Sequence, residues 1–236
     1  DGFKEMFLVV IQLGAILAVP ILFWDKLFPL SKKKTKEENN LIWQLWLKVI
    51  VGVIPAGILG VLLDDFFDKY FYNFITVGIT LLVYGVAFIL IEKIKGDKPA
   101  RIDSVYDITY KDAAIIGCYQ MLSLIPGTSR SGSTILGGMP TGGSRSAASE
   151  FSFFMAIPIM LGASLLKILK FMLEGFSAGP FEIILLLIGI TVSFGVSMVA
   201  IKFLMDFVKK RNFTPFGIYR IVLSVMVIGY FIIKSI

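Results

Sequence analysis

The stretch IPGTSRSGSTI at residues 125–135 is an unusually polar segment in an otherwise apolar chain. It contains one proline, two glycines, one arginine and five hydroxyl side chains. The segments on either side, 112–124 and 134–143, are each shorter than the roughly 20 residues that a helix needs to cross a bilayer. A polar break between two short apolar segments predicts a re-entrant hairpin, which enters the membrane and returns to the same side.

The composition of the chain supports a membrane protein. Its 236 residues are 56% hydrophobic and 17% charged, with a mean hydropathy of +0.83, whereas soluble domains are about 45–50% apolar and about 25% charged. The net charge of +6 comes from basic residues in short loops between apolar runs. In these positions they orient a membrane protein and do not indicate binding of nucleic acid. The sequence contains no histidine, which excludes histidine-ligated metals and Ser-His-Asp triads within this chain.

Six apolar stretches are long enough, or nearly so, to span a membrane as helices. They are 6–24, 41–63, 73–92, 151–171, 181–205 and 216–234. Basic residues crowd the loops after the first, third and fifth stretches, while Asp64, Asp65 and Asp68 follow the second. By the positive-inside rule the basic loops lie in the cytoplasm and the three aspartates lie outside. Residues 112–146 then begin and end on the cytoplasmic side, as a re-entrant hairpin requires.

The two halves of the chain resemble each other. FLVVIQLGAILAVPIL at 7–22 is similar to FSFFMAIPIMLGASLL at 151–166, and FITVGITLLVYG at 74–85 is similar to FTPFGIYRIVLS at 213–224. The two sets of three spans have opposite predicted orientations, which predicts an all-α integral membrane protein built as an inverted-topology repeat. The repeats are 1–111, with three spans, and 112–236, with the hairpin and three spans. We expect the hairpin of the first repeat to precede residue 1 in a longer gene product.

The tip of the hairpin has the features of an anion site. Pro126 and Gly127 break the first half-helix, and the second begins near Ser129, where free N–H groups and the positive end of the helix dipole are exposed. Arg130 adds a planar cation that pairs bidentately with phosphate. Ser129 as a simple helix cap, or the whole stretch as a close packing surface, are alternatives. An unpaired arginine in the membrane costs several kcal/mol, which favours a phosphate or diphosphate site.

A few polar residues lie elsewhere in the apolar segments. Gln12 and Gln120 occupy comparable places in the two halves, where they either bond neighbouring helices or line the site. Glu150 and Arg145 border the fourth span, where we expect a surface or interhelical ion pair, with a catalytic role as the alternative. We expect Tyr219 and Arg220 to anchor the last span at the membrane interface.

The motif PGTSRSGST at 126–134, with Gln120 six residues before its proline, resembles the signature of the undecaprenyl-diphosphate phosphatases, the bacitracin-resistance family. The likeness extends through SRSAASEFSFFMAIP at 144–158 and FTPFGIYRI at 213–221. The resemblance implies hydrolysis of a polyprenyl diphosphate to the monophosphate, which recycles the lipid carrier for peptidoglycan synthesis and confers bacitracin resistance. It also implies an enzyme of the bacterial plasma membrane whose active site faces the extracytoplasmic side, with Mg²⁺ or Ca²⁺ as cofactor.

The resemblance assigns roles to individual residues. Arg130 matches the diphosphate-binding arginine, and Ser129, Ser131 and Thr134 match the catalytic hydroxyls. Predicted substrate-binding residues are Gly127, Thr128, Ser133, Gln120 and Gln12. The family also has an E-x-x-x-E stretch and a P-x-S-S-x-G-H loop, and neither occurs in this sequence. No metal ligand is therefore predicted within this chain, and we expect the ligands in the upstream segment.

Two other classes of protein stay open at this point. A secondary transporter or flippase for an anionic polyprenyl phosphate also uses inverted repeats and a site within the membrane. It would bind the lipid without releasing phosphate. A purely structural scaffold would leave Arg130 unexplained. The sequence does not decide the oligomeric state, for which a homodimer is one option.

Overall fold

The computed structural model describes residues 2–30, 34–95, 98–173 and 179–235. The side chains of Asp64, Asp65 and Asp68 lie outside the described part. Their location on the side of the membrane opposite the cytoplasm stays a prediction. The described residues form helices joined by short connections. These are α1 Gly2–Leu22, α2 Trp24–Leu27, α3 Lys36–Phe71, α4 Phe74–Lys95, α5 Tyr110–Met121, α6 Arg130–Gly138, α7 Arg145–Leu173, α8 Pro180–Lys210 and α9 Thr214–Ser235.

Five helices within the described ranges are long and apolar enough to cross a membrane. They are Lys36–Leu63 of α3, α4, α7, α8 and Thr214–Lys234 of α9. The apolar helix Met6–Leu22 within α1 is shorter. Large apolar side chains on these helices are highly exposed, among them Val61 at 82% and Leu173 at 89%, and such surface is stable only against lipid. The chain is a multi-pass, all-α membrane protein, while the count of six spans stays a prediction.

The chain divides into two compact units. The first contains residues 1–46 and 153–207, and the second contains 47–152 and 208–236. Each unit draws on both halves of the chain, so the repeat boundary predicted between 111 and 112 is not a boundary between units. The inverted repeat stays a prediction about internal symmetry.

In the first unit, α1 packs closely against α8. A Cβ atom built on Gly14 would lie 2.6 Å from the carbonyl oxygen of Ile190, so only glycine allows this approach. Ser193 Oγ donates a 2.6 Å hydrogen bond to the carbonyl oxygen of Ile11. Small residues and hydroxyl bonds of this kind hold helices together where lipid surrounds them.

In the second unit, α4 and α9 form an extensive helix pair. Ser224 Oγ donates a 2.6 Å hydrogen bond to the carbonyl oxygen of Gly78, and the rings of Phe74 and Phe231 stack with centroids 4.1 Å apart. A Cβ on Gly85 would lie 2.8 Å from the carbonyl oxygen of Gly217. The pair forms the support against which the hairpin lies.

The helices α5 and α6 form a hairpin whose two ends lie at the Lys95 end of α4. Lys95 Nζ donates to the carbonyl oxygen of Gly143, which follows α6. Arg101, which precedes α5, forms a 2.7 Å ion pair with Asp112 and donates at 2.7 Å to the carbonyl oxygen of Thr141. These contacts tie the entrance of the hairpin to its exit.

The tip of the hairpin lies far along α4 from this base. Thr80 Oγ1 donates a 2.8 Å hydrogen bond to the carbonyl oxygen of Pro126. The rise of α4 from Lys95 to Thr80 is about 22 Å at about 1.5 Å per residue. The hairpin therefore runs along most of α4 and returns to the end where it started.

Candidate functional site

The loop between α5 and α6 is pressed against α4. After the 3₁₀ turn Leu122–Leu124, the backbone turns at Gly127, whose φ is 85°. A Cβ on Gly127 would lie 2.3 Å from Thr80 Oγ1 and 2.9 Å from the carbonyl oxygen of Val77. Both the positive φ and the close approach require glycine at this position.

Ser129 occupies a strained backbone conformation at the start of α6. With φ 68° and ψ 118° it is the one non-glycine residue with positive φ in the described ranges. Its Oγ accepts a 3.3 Å hydrogen bond from the N–H of Gly132 and lies 3.4 Å from Ser131 Oγ. Ser129 is therefore the N-cap of α6, which is one of the roles that the sequence predicted for it. Its side chain is also exposed, so a ligand can reach it, and strain of this kind is common at functional sites.

Arg130 is the first residue of α6 and is half-buried. Its Nη1 donates a hydrogen bond of 3.3 Å to the carbonyl oxygen of Ser152. The described ion pairs join Arg101 to Asp112 and Arg145 to Glu92, and none includes Arg130. A guanidinium that is largely removed from water and has no carboxylate partner is costly, and a bound anion would compensate for that cost.

The other three hydroxyls of the motif are buried and bonded within the protein. Thr128 Oγ1 donates to the carbonyl oxygen of Ile125. Ser133 Oγ donates to Tyr84 Oη at 3.0 Å, and Thr134 Oγ1 donates to Ser152 Oγ at 2.6 Å. These bonds hold the loop and α6 in place. The catalytic role of Thr134 and the substrate-binding roles of Thr128 and Ser133 stay predictions.

A second arginine supports the loop from α9. Arg220 Nη2 donates to the carbonyl oxygens of Gly127 at 2.7 Å and Thr128 at 3.1 Å, and its guanidinium lies 5.6 Å from the centroid of the Tyr84 ring. The prediction that Arg220 anchors the span at the membrane interface is wrong. Neighbouring helical residues point in different directions, so Tyr219 is 64% exposed while Arg220 reaches the loop. An arginine within an apolar span is the sequence signal for a functional residue.

A cavity of about 610 Å³ lies beside the loop. It is bounded on one side by the start of α4 and on the other by the segment that leads into the loop. Its lining residues are Tyr72, Asn73, Phe74, Val77, Ser123, Leu124, Pro126 and Gly127. Aromatic and aliphatic walls with a few polar groups suit a ligand that has both a lipid part and a polar head.

The two glutamines differ in their surroundings. Gln120, in the last turn of α5, is 1% exposed, and neither side-chain amide atom has a hydrogen-bond partner among the described residues. A buried amide without hydrogen bonds costs about 1–3 kcal/mol. Gln120 can therefore form hydrogen bonds with a further group. Gln12 is exposed on α1 in the first unit. Their roles in substrate binding stay predictions.

The described residues do not form a metal site. In that part of the chain no group of three or more Asp, Glu, Cys or His side chains is close enough together to hold a metal ion. The described residues therefore do not provide a site for the Mg²⁺ or Ca²⁺ that the resemblance implies.

Comparison with known proteins identifies the family. The family profile described as "Bacitracin resistance protein BacA" matches residues 1–226 of this chain. This chain belongs to the BacA family. Arg130 and its neighbouring hydroxyls lie within the matched region.

Several known proteins are similar to the chain over nearly its whole length. A protein of Enterococcus faecalis named undecaprenyl-diphosphatase is 54% identical over 230 residues, which cover 98% of this chain and 83% of the relative. Proteins with the same name from Streptococcus gordonii and Acetivibrio thermocellus are 50% and 51% identical, and the matches cover 99% and 98% of this chain and 83% and 84% of those proteins.

Proposed function

We propose that this chain is an integral membrane phosphatase that hydrolyses undecaprenyl diphosphate to undecaprenyl phosphate and inorganic phosphate. The observation that carries the proposal is the half-buried Arg130 at the start of α6, which has no carboxylate partner in the described part of the chain and lies next to the accessible hydroxyls of Ser129 and Ser131. Membership of the BacA family and the name shared by its relatives support this substrate. The reaction recycles the lipid carrier for cell-wall synthesis, and the family name connects it with bacitracin resistance.

The start of α6 offers several donors to the terminal phosphate. The first N–H groups of a helix have no acceptor within the helix, and the helix dipole adds partial positive charge there. Arg130 contributes a guanidinium that pairs with two phosphate oxygens, and Ser131 lies one residue further on. Together these groups fit a diphosphate better than a carboxylate or chloride ion.

The chemistry is displacement at the terminal phosphorus. An oxygen nucleophile, either a water molecule or the Ser129 hydroxyl, forms a bond to that phosphorus, and the bond from the phosphorus to the bridging oxygen breaks. Undecaprenyl phosphate leaves with the electron pair of that bond, and the proton that the nucleophile loses passes to a phosphate oxygen. In phosphoryl transfer, catalysis is mainly positioning and stabilisation of charge, so Arg130 and the N–H groups of α6 act on the equatorial oxygens. If Ser129 attacks, water then hydrolyses the phosphoserine and restores the hydroxyl.

The charge pattern supports an extracytoplasmic active site in the bacterial plasma membrane. The base of the hairpin lies at the Lys95 end of α4, where basic residues predict the cytoplasm. The loop contacts Thr80, near the opposite end of α4, and the cavity beside it is lined by Tyr72 and Phe74. We place the hairpin in the membrane as a re-entrant element on this basis. Six spans, the inverted repeat, a homodimer and dependence on Mg²⁺ or Ca²⁺ are further parts of the proposal.

Release of inorganic phosphate from undecaprenyl diphosphate tests the proposal. The chain, Arg130→Ala and Arg130→Lys are compared in detergent with Mg²⁺, with exposed Arg211→Ala as the matched control. We expect Arg130→Ala to lose about 10²-fold or more in kcat/KM, the range for one transition-state donor. Arg130→Lys should recover only part, because an ammonium cannot pair bidentately.

Two results would contradict the phosphatase. Equal phosphate release by Arg130→Ala and the parent chain would remove the anion site from the reaction. Retained binding of undecaprenyl diphosphate without phosphate release by the parent chain would instead indicate a transporter or flippase.

A further inference from the structure

A second polar site lies at the base of the hairpin, far from the loop. A pocket of about 370 Å³ is formed where α4 ends, α7 begins and α8 ends. Among the described residues that line it, four are basic and one is acidic. The lining consists of Lys95, Lys98, Ala100, Asp103, Ser144, Arg145, Ser146, Val208 and Lys209. We propose that this pocket binds the phosphate headgroup of an anionic membrane phospholipid.

The start of α7 provides hydrogen-bond donors to the pocket. Ser144 Oγ caps the helix by accepting a 3.1 Å hydrogen bond from the N–H of Ala147. The N–H groups of Arg145 and Ser146 precede that bond and have no acceptor within the helix. The helix dipole adds partial positive charge at this end, so the pocket has the features of a phosphate site.

A buried hydroxyl in the pocket has no partner. Ser146 Oγ is shielded from solvent and makes no hydrogen bond to any described residue. An unsatisfied buried hydroxyl is costly. Ser146 itself lines the pocket, so rotation of its side chain would bring the hydroxyl to a ligand oxygen there. This observation is independent of the helix terminus and of the lysines.

Two of the four cations have no partner among the described residues. Arg145 is engaged by Glu92, and Lys95 donates to the carbonyl oxygen of Gly143. No hydrogen bond or ion pair within the described ranges engages the ammonium group of Lys98 or Lys209. Asp103, the one acidic residue among the described lining residues, forms no described ion pair with either lysine.

The position of the pocket indicates where its ligand comes from. It lies at the end of the second unit where the basic residues of that unit's loops cluster, which is the predicted cytoplasmic end. Anionic phospholipids of the inner leaflet face that end of a bacterial membrane protein, and basic pockets between helices bind their headgroups. A lipid phosphodiester therefore fits the pocket better than an acidic protein or a nucleic acid.

The test measures lipid binding, so it does not depend on phosphatase activity. The chain is placed in nanodiscs of phosphatidylcholine, and spin-labelled phosphatidylglycerol is titrated in. The variant Lys98→Gln/Lys209→Gln removes the two available cations. The matched control Lys93→Gln/Lys210→Gln removes the same charge from exposed neighbours that do not line the pocket. A third variant, Ser146→Ala, removes the buried hydroxyl.

We expect saturable binding of one phosphatidylglycerol per chain, weakened about tenfold or more by Lys98→Gln/Lys209→Gln and little by the control pair. Ser146→Ala should weaken binding severalfold. Melting temperatures of all variants verify folding. Equal losses of phosphatidylglycerol binding in the two double variants would show that the general positive charge of this surface attracts the lipid. That result would overturn the proposal. Competition by inorganic phosphate with no preference for phosphatidylglycerol over phosphatidylcholine would overturn the lipid assignment.

Discussion

Arg220 on α9 donates a 2.7 Å hydrogen bond to the carbonyl oxygen of Gly127 in the loop before α6. A second bond of 3.1 Å reaches the carbonyl oxygen of Thr128. The C=O and N–H groups of a trans peptide point in opposite directions. Holding the Thr128 carbonyl toward α9 therefore turns the N–H of Ser129 away from α9. Arg220 is a positioning residue that acts through the loop.

Removal of Arg220 should disturb the loop more than the fold. We expect Arg220→Ala to lower kcat/KM for undecaprenyl diphosphate by about 10-fold to 10²-fold, because misplacement of a reacting group by about 1 Å has an effect of that size. Arg220→Lys should restore part of the activity, since an ammonium can donate to one carbonyl. Tyr219→Ala, on the exposed face, is the control. If the loss of activity only tracks a loss of folded protein, the positioning role is wrong.

Gly127 should not tolerate a side chain. Alanine at this position must adopt a φ near 85° and place its Cβ 2.3 Å from Thr80 Oγ1, so we expect Gly127→Ala to destabilise the protein by roughly 1–3 kcal/mol and to abolish phosphate release. Gly57→Ala is the matched control, because a Cβ there meets no atom within 4 Å and alanine favours a helix. Thermal unfolding in detergent measures both. Equal effects of the two substitutions on stability would contradict the close contact between the loop and α4.

Ser129 allows strain and chemistry to be separated. Ser129→Gly relieves the positive φ and keeps a tolerable N-cap, so we expect unchanged or slightly higher stability. The same substitution removes the hydroxyl, so phosphate release should fall by at least tenfold if that hydroxyl contacts the phosphate. Ser133→Ala, which removes the buried bond to Tyr84 and a 3.2 Å bond to the carbonyl oxygen of Ser129, should instead lower stability by about 1 kcal/mol. Full activity in Ser129→Gly would exclude its hydroxyl from the reaction.

The sequence predicts the loop and its neighbouring helices well, because the signals there are local. Pro126 and Gly127 interrupt the apolar run, and the structure accordingly ends α5 at Met121 and begins α6 at Arg130. The cap at Ser129 follows from the preference of serine for that position. Features that depend on the direction of a side chain in a uniformly apolar helix were harder to predict.

Arg220 and the hydroxyls of the motif show why the direction of a side chain is hard to predict in such a helix. A transmembrane helix is apolar on all sides, so its pattern does not distinguish the surface that contacts lipid from the surface that contacts protein. The sequence therefore does not show that Arg220 points to the loop while Tyr219 does not. The same limitation applies to the hydroxyls of the motif, because the sequence does not show which of them are buried. The structure buries Thr128, Ser133 and Thr134 and exposes Ser129.

The ion pair between Arg145 and Glu92 should behave as a coupled buried pair. Arg145 Nε lies 2.9 Å from Glu92 Oε1, its Nη2 lies 2.6 Å from Glu92 Oε2, and the N–H of Phe213 donates to the same carboxylate at 2.8 Å. The interhelical pair predicted for Arg145 is therefore present, with Glu92 only 4% exposed and Arg145 25% exposed. Loss of one partner leaves the other charge buried, which costs roughly 3 kcal/mol.

We expect Arg145→Met to lower the free energy of unfolding by roughly that amount, and Glu92→Gln to lower it by less, since the neutral amide can still accept from Phe213. The double variant Arg145→Met/Glu92→Gln should be more stable than Arg145→Met alone, because no buried charge is left without a partner. Unfolding in detergent measures this. The KM for undecaprenyl diphosphate should not change, since the pair is at the base of the hairpin. Additive losses in the double variant would contradict the coupling.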